Sequence, residues 1–189
     1  MRKIYRNFIT AEEAEKINSD LNRNAKYFLK RRLDKLEDLG WDYITKILDT
    51  IKQDFKFEIN DYSYFKLECR ELAHQWHKDT GSRNHMLWNQ VGISLLIKEP
   101  KEGGETYYAK DNELFEKEYG DIFISKPTVD SKGNQRVKRT TNAVKEIGAS
   151  ITNRVKADRK LYDLVVHTCD QWHEVKKSSG GRCVLLMFI

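Results

Sequence analysis

The sequence predicts a mainly β fold with helices gathered toward its N-terminus, an α+β arrangement built on a sandwich or jelly roll. Helical periodicity is confined to the residues before about 55. From Tyr62 onward, short runs rich in β-branched and aromatic residues alternate between apolar and polar. Gly-bearing turns separate those runs, as in all-β sandwiches and barrels.

The elements follow in order. Thr10-Ala11-Glu12-Glu13 has the spacing of a capping box, with Thr10 as N-cap and Glu13 three positions on. Ala14, Ile17 and Leu21 then recur at helical spacing, predicting a helix over about 11–23, with an extension through Tyr27, Phe28 and Leu29 open. A second helix is expected over about 34–54 on the stripe Leu36, Leu39, Ile44, Ile47, Leu48 and Ile51, with Gly40-Trp41 as a candidate break. Both helices are expected to cover one face of a sheet. Strands are expected at 62–70, 72–77, 89–97, 105–109, 119–124 and 161–167. Trp172 to Ile189 reads as a hairpin, two strands around Ser178-Ser179-Gly180-Gly181, with Arg182, Val184, Leu186 and Phe188 on one face of the return strand.

At 189 residues, with 33% charged and 39% hydrophobic residues, the chain has the length and composition of one globular domain. No apolar run approaches the roughly 20 residues of a membrane span, and Met1 to Asn7 lacks the apolar centre of a signal peptide. Cys69, Cys169 and Cys183 are an odd count without zinc-site spacing, and are expected as reduced thiols in a cytoplasmic protein. The net charge of +5 is uneven. Residues 126–160 hold ten Lys/Arg and three acids, a net +7 against −2 for the rest of the chain. Such a segment is either a solvated loop or a surface for an anionic partner.

Within this frame lies a constellation of metal-capable side chains. His77 and Asp79 stand two apart in Gln75-Trp76-His77-Lys78-Asp79. In a strand, residues i and i+2 point to the same side, so both share a face and Lys78 points away. His173 follows far along the chain, and Arg182 nine positions after it. Two His and one carboxylate on one face of a metal form the facial triad of non-heme Fe(II) oxygenases. A cation at the rim of such a site can hold the far carboxylate of an acidic cosubstrate through a paired hydrogen bond.

The other three histidines are rivals for these roles. His74 stands three before His77, but its flanks read as strand, so it is expected not to ligate. His167 rivals His173 as second histidine but lies fifteen residues from Arg182. His85 reads as a loop residue near a substrate entrance or at the surface. Trp76 and Trp172, each next to a proposed ligand, should face away into packed core, and Trp88 fits either core or pocket wall.

The ordered set His77-Lys78-Asp79, Val91 to Ile97, Gly103-Gly104-Glu105-Thr106, Asp163-Leu164-Val165-Val166, His173 and Arg182 resembles the Fe(II)- and 2-oxoglutarate-dependent dioxygenases, in particular their prolyl 4-hydroxylase-like branch. The resemblance covers roughly residues 62–189. It implies a double-stranded β-helix, a cupin-like jelly roll, in a single dioxygenase domain over 1–189. Residues 1–60 would be helical support and 61–189 the core, with a basic insertion at about 111–160. That insertion departs from the pattern, in which the strand before the second His follows the GGxT strand more closely.

What the resemblance implies for chemistry is specific. His77, Asp79 and His173 would hold Fe(II), and Arg182 would pair with the 5-carboxylate of 2-oxoglutarate. Dioxygen would be the oxidant and ascorbate an optional reductant, with succinate and CO2 as co-products of C–H hydroxylation. A Tyr that often makes the second contact to that carboxylate is missing, because Leu96 occupies its place. Ser94, Thr106 and Tyr64 are the candidate replacements. A protein or peptide side chain such as proline is the first substrate class, with a free amino acid, another small molecule or a nucleic acid as alternatives. A reading of a different class is a non-catalytic β-sandwich that merely holds a metal. A closed structural site normally takes four ligands and no rim cation, so Arg182 stands against it. No membrane partner is implied, and oligomeric state is not legible.

Overall fold

A computed structural model describes residues 1–22, 31–32, 42–59, 63–69, 73–79, 90–123, 127–129, 135–137 and 150–189. In chain order the elements are β1 (Arg2–Tyr5), α1 (Ala11–Asn22), β2 (Arg31–Arg32), α2 (Asp42–Ile51), β3 (Tyr64–Glu68), β4 (His74–His77) and β5 (Val91–Lys98). They continue with β6 (Glu102–Gly103), β7 (Thr106–Ala109), α3 (Asn112–Phe123), β8 (Pro127–Val129), β9 (Gln135–Val137) and β10 (Arg154–Lys156). The last are β11 (Leu164–Thr168), β12 (His173–Val175), β13 (Ser178–Ser179) and β14 (Cys183–Phe188).

Two antiparallel sheets form the jelly roll. One runs β1-β11-β5-β14-β3-β2 and the other β10-β7-β12-β4, with two-stranded ribbons β13-β6 and β8-β9 beside them. Alternation along the strands divides the first sheet into two faces. Phe65, Ile93, Leu95, Leu164, Val166, Leu185 and Met187 point outward and bury against Ala14 and Ile17 of α1 and Tyr43, Ile44, Ile47 and Ile51 of α2. Burying each such aliphatic side chain contributes about 1.5–3 kcal/mol. The opposite face carries Gly92, Ser94, Val165 and His167 and looks toward the second sheet. There Val165 packs on Tyr108 of β7 and Ala157.

The capping box at α1 forms as expected: Glu13 N–H donates to Thr10 Oγ1 at 3.2 Å, and Thr10 N–H donates to Glu13 Oε2 at 2.8 Å. The second helix begins by Asp42 and ends at Ile51; Leu36, Leu39 and Gly40-Trp41 lie outside the described residues, as do Tyr27 to Leu29, His85 and Trp88. No helix among the described residues is long and apolar enough to cross a membrane.

Four expectations are corrected. The stretch 119–124, expected as a strand, is helical through Phe123 as the end of α3. Asp111 caps that helix by accepting the Leu114 N–H at 2.9 Å. Phe115, Tyr119 and Phe123, four apart, then pack with Trp76 and Trp172 on the outer face of the second sheet. The packing of this run follows the helical period and not the period of two that a strand requires.

Nor is 172–189 a hairpin. β12 lies in the second sheet between β7 and β4, whereas β14 lies in the first between β5 and β3. Between them Ser178 and Ser179 pair with Gly103 and Glu102, and Gly180 and Gly181 turn the chain at φ 76° and 87°. The segment therefore crosses from one sheet to the other.

The cysteines are not all thiols: Cys69 and Cys183 form a disulfide, and only Cys169 is free. Cys69 follows β3 and Cys183 opens β14. The antiparallel register that sets Val184 opposite Glu68 brings these cysteines together across 114 residues of chain. One disulfide and one buried thiol thus stand where three reduced thiols were expected.

Finally, the first residues are not only helical support. β1 pairs with β11 as an edge strand of the first sheet. Likewise β10, within the stretch expected as an insertion, pairs with β7 at the edge of the second.

Candidate metal centre

The register of β4 against β12 sets His77 directly opposite His173, and their ring centroids lie 4.2 Å apart. A register shift between His173 and Val175 bends β4 here. Asp79 lies just past the end of β4, where its N–H donates to the Cys169 carbonyl at 3.0 Å. One ligand atom from each of His77, Asp79 and His173 lies within 4.8 Å of the others. Lys78 points away as alternation requires, its Nζ meeting Glu116 and lying 5.2 Å from the Trp172 ring. Trp76 and Trp172 are buried behind the ligands against Phe115, as expected.

The orientation of both imidazoles is set by the backbone. His77 Nδ1 lies 2.6 Å from the Gln75 carbonyl oxygen, and His173 Nδ1 lies 3.0 Å from that of Gln171. A carbonyl oxygen can only accept, so each Nδ1 carries the proton and each Nε2 keeps its lone pair. Those Nε2 atoms stand 3.7 and 3.8 Å from Asp79 Oδ1. Burial lowers the basicity of His77, and burial with the neighbouring His77 pushes His173 down to about 3. Burial alone would raise the Asp79 carboxyl, but His173, His167 and His77 together hold it well below the usual range. Two neutral imidazoles and one carboxylate are the protonation states that metal ligation requires, and the donor set suits Fe(II). The His77 side chain is 35% exposed, against 8% for Asp79 and His173, so the cluster is reached from the His77 side.

Around this cluster stand further buried residues, His167 and Tyr108. His167 is buried, its ring 4.7 Å from that of His173, and its Nε2 lies 2.8 Å from Asp79 Oδ2, the carboxylate oxygen that does not face His77 and His173. It contacts a proposed ligand without joining the group. Its Nδ1 lies 3.4 Å from the Tyr108 hydroxyl, and the Tyr108 ring stacks on His173 at 5.6 Å. Period-two alternation from Thr106 was the available signal for Tyr108. His74 does not join either; its Nε2 lies 3.1 Å from Glu68 Oε1.

Arg182 is 5% exposed, and its Nε is a buried donor without a hydrogen-bond partner. Its aliphatic stem packs so close to Gly104 that a Cβ there would sit 3.1 Å from Arg182 Cδ. Burial lowers its guanidinium pKa, and Glu68 partly offsets this.

The three candidate hydroxyls separate. Ser94, on the inner face of β5, accepts a hydrogen bond from Arg159 Nη1 at 2.6 Å. Tyr64 stacks on Phe188 at 5.0 Å, and burial together with the Asp79 charge raises its phenol to about 12. Tyr64 therefore belongs to the metal end. Thr106 is buried on β7 opposite Val175. Arg159 belongs to the basic segment 126–160. Burial and the positive charge of Arg182 push it down to about 10. Two other cations of that segment are paired, Arg154 with Glu174 at 3.3 Å and Lys156 with Glu105 at 3.6 Å.

No model of a known protein family matches the chain, and no curated protein does. Solved structures do. A prolyl 4-hydroxylase from Pseudomonas putida superposes with a TM-score of 0.54 at 14% identity, covering 99% of this chain and 90% of that one. A prolyl hydroxylase from Trichoplax adhaerens, in complex with a hypoxia-inducible-factor oxygen degradation domain peptide, gives 0.56 at 13%, covering 99% and 82%. Iron-bound HygX from Streptomyces hygroscopicus gives 0.61 at 8%, covering 99% and 81%. At these identities the likeness is one of fold. The chain has the double-stranded β-helix fold of prolyl 4-hydroxylase-like proteins.

Proposed function

We propose that this chain is an Fe(II)- and 2-oxoglutarate-dependent dioxygenase that hydroxylates a C–H bond of a protein or peptide side chain such as proline. The observation that carries the reading is the convergence of His77, Asp79 and His173 on one point, with the buried Arg182 in the same fold. The peptide bound to the Trichoplax adhaerens prolyl hydroxylase supports the substrate class.

Each residue has a physical task. Gln75 and Gln171 carbonyls hold the His77 and His173 tautomers, so that both Nε2 lone pairs are available without reorganisation. Asp79 supplies the negative charge and is steadied by His167. Arg182 offers a buried, unsatisfied donor to the distal carboxylate of the cosubstrate. Tyr108 and Tyr64 line the interior and limit water near the reacting C–H. Iron bound there supplies the redox chemistry that couples 2-oxoglutarate, dioxygen and R–H to succinate, CO2 and R–OH.

The test is oxygen-dependent succinate release by Fe(II)-loaded protein with 2-oxoglutarate and a panel of proline-bearing peptides, beside free proline. Peptide-stimulated succinate with a hydroxylated product, lost in Asp79→Ala, supports the proposal. A folded, iron-loaded protein that releases no succinate above its metal-free control overturns it.

A further inference from the structure

The loop between β10 and β11 carries Arg159 into the interior. Ala157 N–H donates to the Thr106 carbonyl at 2.8 Å, and Tyr162 N–H to the Leu96 carbonyl at 2.9 Å. Asp163, 1% exposed, accepts from Lys160 N–H at 2.9 Å, Asn7 N–H at 2.9 Å and Arg6 Nη1 at 2.7 Å. Tyr162 holds φ at 66°, a backbone conformation that persists only when its surroundings over-determine it. The loop is thus fastened to the Leu96 end of β5 and to the N-terminal segment. From it Arg159 reaches inward to Ser94, two residues before Leu96 on the inner face of β5.

Arg182 immediately precedes β14, the neighbour of β5 in the first sheet, and its positive charge acts on Arg159. Among the described residues, no carboxylate lies within ion-pair distance of Arg159 or Arg182. Glu68, whose charge acts on Arg182, is held by Lys66 at 3.0 Å and His74 at 3.1 Å. Partly buried like charges without a counter-ion are costly and persist where an anion completes them.

We propose that Arg159, seated on Ser94, is a second cation for the distal carboxylate of the cosubstrate, and that with Arg182 it selects a dicarboxylic over a monocarboxylic 2-oxo acid. The inference rests on the reading of the site as a 2-oxo-acid-dependent metal centre. It assigns to Arg159 the contact left open by Leu96, with Ser94 acting through the guanidinium.

Binding to Mn(II)-loaded protein, followed by calorimetry, tests it without turnover. The probes are 2-oxoglutarate and 2-oxopentanoate, which differ in the distal carboxylate. Wild type is expected to prefer 2-oxoglutarate. Arg159→Met is expected to weaken 2-oxoglutarate by about ten- to a hundredfold, the effect of one charge-assisted hydrogen bond, with 2-oxopentanoate and Mn(II) affinity unchanged. Arg159→Lys should recover part of the loss. The inference is overturned if Arg159→Met binds 2-oxoglutarate within about twofold of a discriminating wild type. It is equally overturned if the variant loses both acids alike, which marks a structural role. A Mn(II)-loaded wild type that binds neither acid refutes the underlying reading.

Discussion

His167 Nε2 sits 2.8 Å from Asp79 Oδ2, while the other carboxylate oxygen, Oδ1, faces His77 and His173. Asp79 thereby divides its two oxygens, one toward the cluster and one toward a buried imidazole. Partners of this kind orient a ligand, and their loss typically costs about 10–100-fold in metal affinity. His167→Ala is accordingly expected to weaken Mn(II) binding by that range, while His167→Asn, which keeps a donor, is expected to lose less. Metal titration of the two folded variants checks this. Equal affinity in wild type and His167→Ala would show that Asp79 needs no such support.

Gly92 makes this contact possible. A Cβ at that position would lie 2.6 Å from Asp79 Oδ2 and 2.7 Å from His167 Nε2. Both neighbours are buried and cannot swing into solvent. Gly92→Ala is therefore expected to destabilise the fold by about 1–3 kcal/mol, as overpacking does, and to weaken metal binding at least as much as His167→Ala. Thermal melting and metal titration on the same sample report the two effects.

Arg182 is expected to act on the cosubstrate and not on the metal. Charge-assisted hydrogen bonds contribute roughly 1.5–3 kcal/mol each, at about 1.4 kcal/mol per tenfold. Arg182→Ala should raise the apparent KM for 2-oxoglutarate by about ten- to several-hundredfold, with metal affinity little changed. Arg182→Lys should fall between, since an ammonium keeps the charge and loses the fork. A KM within about twofold of wild type, in a variant that still binds metal, speaks against 2-oxoglutarate as cosubstrate.

Glu68 predicts a pH dependence of stability. Burial alone would raise its carboxyl, but the His74 hydrogen bond and Lys66 bring it from its ordinary 4.5 to about 2. A folded-state value below the unfolded one means stability that is present above pH 4.5 and lost as pH falls toward about 2. Denaturant melts at about pH 5 and about pH 3 should show the wild-type advantage over Glu68→Gln shrinking at the lower value. A constant gap across that window removes the assigned role.

What could be read without coordinates was what chain neighbours impose. The capping box at Thr10 and Glu13 is a four-residue property, and the outward facing of Trp76 and Trp172 follows from strand alternation. The order of His77, Asp79, His173 and Arg182, together with Gly103-Gly104, carries the family resemblance that implies the double-stranded β-helix. Tertiary structure decided the rest, because it depends on register and on which surface a segment meets. Phe115, Tyr119 and Phe123 became one helical stripe because Trp76 and Trp172 supplied a surface for it. Cys69 found Cys183 through the pairing of β3 with β14. His167 and Arg159 carry no local mark of function. The first meets Asp79 only because β11 lies beside Gly92 on β5, and the second meets Ser94 only because its loop is tied to Leu96 and Asp163. Such contacts join residues distant in sequence, and no periodicity within either segment encodes them.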